Sequence, residues 1–257
     1  MDDSKRNPLN DDAAEPSGLG HVLRSTLSEC YDYFHLVILG SLVVAVSLIA
    51  PTLASALAPA TLVALLAAYL LGALSVGPIW VALYGLSDTI SQRELPGMGA
   101  MLGALRKFYW RGVGLFLVYA FILGGTLLAA WFYQWKFEHW LLEGISLLWV
   151  YFSIFWVMMN LYVPAFLVMD DESIWSALRK GFILTMAHPG YTFLVFVQVG
   201  CVVAMIAAPI LGRVNWAMGL SFILFFMFLP GFVSLLSTNA MRDLLRKHEE
   251  AEAEDEE

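Results

Sequence analysis

Charge is what this chain has least of. Asp, Glu, Lys and Arg make up 14% of its 257 residues, against about a quarter in soluble domains. None of them, and no His, falls inside the long apolar runs beyond their boundary turns. That scarcity argues against a proton- or ion-coupled transporter, which needs an ionisable group within the bilayer. It argues equally against an intramembrane enzyme, which needs positioned acid and base groups. Cysteine is as thin. Cys30 and Cys201 make no disulfide framework and read as unpaired thiols. His21, His35, His139, His188 and His248 are too dispersed for metal ligation. Phosphate loop, nucleophile elbow and His-Glu-x-x-His are all missing. No cofactor, metal or catalytic residue is therefore expected.

What is present is apolar sequence. Hydrophobic residues make up 60% of the chain, and the mean hydropathy is +0.72. A bilayer crossing takes about 20 apolar residues, and such runs recur at about 35–56, 60–87, 111–133, 145–169, 191–211 and 215–237. The expected fold class is all-α, a polytopic transmembrane bundle of about six spans built from three helical hairpins. Residues 1–34 read as an acidic, partly disordered leader, 35–240 as the membrane domain, and 241–257 as a helix end with an acidic disordered tail. Between the first two spans no charge marks the turn, only Pro51, Pro59 and small residues. Residues 51–60 form either a full loop or a re-entrant break.

Basic residues resist translocation and set orientation. With six spans and both termini inside, Lys5, Arg6, Arg24, Arg93, Arg106, Lys107, Arg111, Arg179, Lys180, Arg242, Arg246 and Lys247 fall on one face. Only Lys136 and Arg213 fall on the other. This asymmetry places the chain in the cell membrane with cytoplasmic termini. Trp131, Tyr133, Trp135 and Trp140 crowd the outer boundary, and Tyr109, Trp110 and Trp175 the inner one, as amphipathic rings do at the headgroup level.

The tetrapeptide Ala-Leu-Arg-Lys occurs at 104–107 and again at 177–180. Each copy follows a span bearing an inner-half proline, Pro78 or Pro164, and precedes a glycine and a new span. The last span repeats the first half of this plan with Pro230, then Arg242, Arg246 and Lys247. Prolines kink spans, and three kinks at similar depth either line an inward vestibule or splay the helices. Splaying is the favoured reading, with the basic segments lying as amphipathic helices on the inner surface. Ile174, Leu178, Ile183 and Met186 would form one apolar stripe, and Met98, Met101, Leu102, Leu105 and Phe108 or Tyr109 its counterpart. Arg106, Lys107, Arg179 and Lys180 then serve topology and contact with anionic headgroups. Asp170, Asp171, Glu172 and Ser173 read as a helix start. The stripe Ala60, Ala64, Ala68, Gly72 and the pair Gly99 and Gly103 read as packing signals.

The succession of a proline-bearing span, an acidic turn, Trp-Ser-Ala-Leu-Arg-Lys-Gly-Phe and His-Pro-Gly resembles the YesL-type family of bacterial integral membrane proteins, over residues 75–245. "GPIWVALYGLSD" is similar to that family's earlier span. The chain departs from it in the long uncharged stretch before Gly77 and in its acidic tails. The resemblance implies a six-span membrane protein with a link to carbohydrate uptake, and brings no catalytic residue with it.

Polar side chains within spans reduce to Asn160, Gln198 and scattered Ser and Thr. Asn160 and Gln198 are expected to be interhelical hydrogen-bond glue. The leading functional expectation is a non-enzymatic accessory or scaffold component linked to solute uptake. The alternative is a facilitator of a neutral small solute, its cavity lined by Pro78, Asn160, Pro164, Gln198 and Pro230. Expected partners are the bilayer, with anionic headgroups at the inner face, and a membrane protein or a second copy. Nucleic acid is not one.

Overall fold

The computed structural model describes residues 18–57, 61–92, 96–136, 140–211, 221 and 223–255. They are 92% helical, with no strand among the described residues. Among them the helices with defined bounds are, in order, α1 (Leu19–Asp32), α2 (Phe34–Ser47), α3 (Ile49–Leu57), α4 (Leu62–Ser91), α5 (Met98–Lys136), α6 (Trp140–Asn160), α7 (Val163–Met169), α8 (Ile174–Ala187), α9 (Pro189–Leu211) and α10 (Leu229–Asp255). Among the described residues five stretches are long and apolar enough to cross a membrane: Phe34–Ala56, Val63–Ser91, Met98–Trp135, Gly144–Met169 and Pro189–Ile206. The sixth expected span, 215–237, lies partly outside the described residues. α3 runs to Leu57 and packs along α4, so residues 51–57, expected within a loop or a re-entrant break, are helical; 58–60 lie outside the described residues.

Local chemistry sets the helix ends. The Thr61 hydroxyl accepts from the Ala64 N–H at 3.2 Å and starts α4. Ser173 does the same for α8 through the Ser176 N–H. Pro189 opens α9, where its missing N–H costs nothing. Asp171, between α7 and α8, has φ 52°, a left-handed turn that Asp tolerates better than most residues.

The three span prolines divide into two kinds. Pro78 sits inside an unbroken α4. It cannot donate to the Leu74 carbonyl, and the Tyr109 hydroxyl of α5 donates to that oxygen instead, at 3.0 Å. Pro164 and Pro230 stand in the first turns of α7 and α10, after breaks at 161–162 and 228. They begin helices where kinks within spans were expected. At the first break the Tyr84 hydroxyl donates to the Leu161 carbonyl at 3.2 Å. At the start of α10 the Gly231 N–H donates to the Ser41 hydroxyl at 2.9 Å.

Two further expectations change. The first Ala-Leu-Arg-Lys copy is not a separate surface helix. It forms the opening turns of α5, with Ala104 seated on Gly85 of α4 and with Met101 and Phe108 buried. The second copy is a helix of its own, yet α8 is apolar on two faces. Ala177, Leu178, Gly181 and Leu184 face the bundle, while Trp175, Phe182, Ile183 and Met186 are exposed. The terminal segments differ as well. Residues 19–32 of the leader form α1, packed on α10, and α10 continues through the acidic end to Asp255.

Helices α4 and α5 have 30 and 39 residues, about 45 and 58 Å, well beyond one bilayer crossing. Their surplus lies at the basic end, where it joins α1, α7, α8 and α10. There Leu83, Tyr84, Leu86, Ile90, Tyr162, Leu167, Leu235, Leu236 and Met241 are fully buried. The opposite halves of the spans expose Leu65, Leu66, Leu70, Phe121, Leu128, Leu147 and Leu148. The molecule is tightly packed at its basic end and spread into lipid at the other.

Helix α4 is the axis: α2, α3, α5, α7 and α10 all pack on it. Its contact with α5 is closest at Gly77 and Gly112. A Cβ on Gly112 would lie 2.7 Å from Pro78 Cα and 3.0 Å from the Gly77 carbonyl oxygen. Close approach of this kind is the main source of cohesion between helices in lipid. Gly99 and Gly103, by contrast, face open space and make no packing stripe. Gly112→Val is expected to destabilise the chain by about 1–3 kcal/mol, read as a lower melting temperature in detergent. Gly103→Val should leave it unchanged.

Candidate functional site

The break after Asn160 borders an apolar cleft. α7 leans onto α4, whereas α6 packs on α5, so α4 and α6 part above the break. Between them, floored by α5, lies a cleft of about 250 Å³. Val76, Gly77, Trp80, Val81 and Tyr84 of α4 line one wall; Gly112, Leu115, Phe116 and Tyr119 of α5 form the floor. Val157, Asn160, Leu161 and Pro164 complete it. All of these belong to the span stretches, and their side chains are overwhelmingly apolar or aromatic. The two polar groups whose bonds are seen turn toward backbone. Asn160 Nδ2 donates to the Trp156 carbonyl at 2.8 Å, and the Tyr84 hydroxyl to that of Leu161.

Of the five residues expected around a common cavity, the cleft joins Asn160 and Pro164. Pro78 follows the Gly77 wall residue without lining it. Gln198 on α9 and Pro230 on α10 are not lining residues. Asn160 bonds its own helix, not a neighbour, and the Gln198 Oε1 is buried without a hydrogen-bond partner. The wall residues missed in the sequence are Trp80, Tyr84, Phe116 and Tyr119. Among so many aromatics, the signal that singles them out is their spacing from Gly77 and Gly112.

Beside the cleft, the basic end is tied by ions. The acidic turn 170–172 holds both Ala-Leu-Arg-Lys copies. Lys107 reaches Asp171 at 3.0 Å and Arg111 pairs with the same carboxylate. Lys180 reaches Asp170 at 2.7 Å and Glu172 at 2.8 Å. Thus Asp170–172, read as a helix start, is also a junction between α5 and α8. Arg106 and Arg179 are exposed beside it. Exposed Trp110 and Trp175, at 75% and 74%, flank the same surface.

A polar seam runs along α10, unmarked by any motif. Ser87 and Ser234 hydroxyls bond at 2.7 Å, and Ser91 donates to Asn239 at 2.6 Å. Asn239 in turn donates to Thr26 and Glu29 of α1. Arg242 pairs with Asp88 of α4. Asp243, only 6% exposed, accepts from Tyr191 at 3.1 Å and from Lys247 at 2.8 Å. The Tyr162 and Thr192 hydroxyls lie near one another, neither with a well-formed hydrogen bond. These bonds fasten α1, α4 and α9 to α10, which is structural work. Burial, with Glu29 adding to it, pushes the Cys30 thiol up to about 12, so that cysteine is no nucleophile. Among the described residues no cluster of metal-ligating side chains forms.

Comparison with protein-family models, curated proteins and solved structures finds no match.

The ion junction has a pH signature. Hydrogen bonds from Lys107 and Arg111 hold Asp171 below the ordinary carboxylate range, and Lys180 with Ser176 does the same for Glu172. Such groups contribute stability that is complete above about pH 4 and is lost as pH falls through their lowered folded values. Asp170, then Glu172, raises Lys180, so its contribution is complete below the ordinary lysine range, about 10.4, and is lost as pH rises through the raised value. Asp171→Asn is expected to flatten the acid limb of a melting-temperature profile below about pH 4. An unchanged limb would separate this turn from acid stability.

Proposed function

We propose that the chain is a non-enzymatic accessory or scaffold component of a bacterial cell membrane, with both termini in the cytoplasm, as its YesL-like motifs suggest. One observation carries this reading. The two Ala-Leu-Arg-Lys copies meet at one acidic turn that takes Lys107 and Lys180 and leaves Arg106 and Arg179 exposed. The result is a fixed basic surface, bordered by Trp110 and Trp175, suited to anionic headgroups. The acids best placed for chemistry, Asp88, Asp170, Asp171 and Asp243, are held by Arg242, Lys180, Lys107 with Arg111, and Lys247. Groups bound in this way suit architecture better than proton transfer.

The cleft favours a second reading, facilitated passage of a small solute. Its walls suit an apolar solute. A sugar would forfeit hydrogen bonds to water with few replacements, so a role in carbohydrate uptake fits an accessory better than the carrier itself.

Reconstitution separates the two. The scaffold reading expects co-purified anionic phospholipid, reduced at least about fivefold by Arg106→Gln with Arg179→Gln, since each interfacial cation is worth about 1 kcal/mol. It also expects a panel of neutral solutes to cross vesicles at the protein-free rate. Saturable flux abolished by Asn160→Ala would overturn it in favour of the facilitator.

A further inference from the structure

We infer that the cleft between α4 and α6 is a binding site for one hydrocarbon chain of a membrane lipid. The inference is independent of the scaffold reading, which concerns headgroups at Arg106 and Arg179.

Three observations lead to it. The first is placement. Every lining residue lies in a membrane-crossing stretch, and the spans on either side continue into exposed apolar surface at Leu70, Leu74 and Phe121 of α4 and α5 and Leu147 and Leu148 of α6. A cleft so placed is continuous with the bilayer, and a chain reaches it sideways without crossing water.

The second is the lining. Trp80, Phe116 and Tyr119 supply broad faces, Val76, Val81, Leu115 and Val157 aliphatic ones. Asn160 Nδ2 and the Tyr84 hydroxyl each donate to a backbone carbonyl, which leaves the Asn160 amide oxygen and the Tyr119 hydroxyl as a small polar share of a lining that is otherwise apolar and aromatic. A polar occupant would lose its water contacts here, whereas a methylene chain has no hydrogen bonds to lose on leaving neighbouring lipid.

The third is the arrangement of charge along α5. Lys107 and Arg111 lie about one to three turns toward the basic end from Leu115, Phe116 and Tyr119. Both cations are paired with Asp171 and mark the basic end of the helix; a lipid with its phosphate at that end extends its chain in the direction in which the floor runs. The glycine contact of Gly77 with Gly112 fixes the junction of wall and floor, and the break at 161–162 holds the cleft open against α7.

The test is photolabelling. The full chain is reconstituted with phosphatidylglycerol and phosphatidylethanolamine containing a phospholipid with a mid-chain diazirine, irradiated, and mapped by peptide mass spectrometry. Labelling at Trp80, Phe116 and Val157 should match or exceed that at lipid-exposed Phe121 and Leu148. Val157→Trp and, from the opposite wall, Val76→Trp should each cut labelling of Phe116 at least fivefold, leaving Phe121 unchanged. Cleft residues unlabelled while Phe121 is labelled, or labelling indifferent to both fillings, would overturn the inference. If neither variant folds, the wild-type map decides alone: label in the cleft supports it and a bare cleft refutes it.

Discussion

A helix that breaks or kinks within a membrane strands backbone polar groups where no water can satisfy them. This constraint governs the whole molecule. Pro78 strands the carbonyl of Leu74, and Tyr109 of the next helix supplies the missing donor. The break before α7 is met by Tyr84 on the Leu161 carbonyl. The start of α10 is met by Ser41, taking the Gly231 N–H. Near the bend between α2 and α3, the Ser75 hydroxyl shares its one proton between the Ser47 carbonyl at 3.1 Å and the Leu71 carbonyl of its own helix at 2.6 Å. Each repair comes from a different helix, so each irregularity is also a tertiary fastening.

The fastenings explain the uneven packing. Where irregularities gather, on the basic half of the bundle, the helices are drawn into a dense layer with a polar seam on α10. Where the spans are regular they have no such reason to converge, and their apolar residues meet lipid. The cleft lies at the border of the two regimes. It exists because α6 follows the spread half and α7 the dense one, with Asn160 and Pro164 at the change of direction. The ion junction at 170–172 then closes the basic end by joining α5 to α8.

The sequence reveals some of this and conceals the rest for physical reasons. Apolar runs are strong local signals, so five of the spans are legible from hydropathy alone. The prolines at 78, 164 and 230 are visible too, though not which of them borders the cleft. What cannot be read is which residue repairs which break. Tyr109 lies 35 residues from Leu74, and Tyr84 lies 77 from Leu161, and nothing nearby distinguishes them from other tyrosines. The basic segments show the same limit. Their charges read as a topology signal, but whether 98–110 lies on a surface or continues a span depends on packing against Gly85. Gln198 and Pro230 lie off the cleft lining, and position along a span does not say which side of the bundle a residue occupies.

The most direct test of the account is a double-mutant cycle at the kink in α4. Pro78→Ala restores an N–H that can bond the Leu74 carbonyl within the helix, removing the need for Tyr109. Tyr109→Phe should therefore lower stability in the native background by about 0.5–1.5 kcal/mol, measured by reversible unfolding in mixed micelles, and by close to zero when Pro78 is already alanine. An equal loss in both backgrounds would show that the tyrosine does not serve the orphaned carbonyl, and would contradict the account.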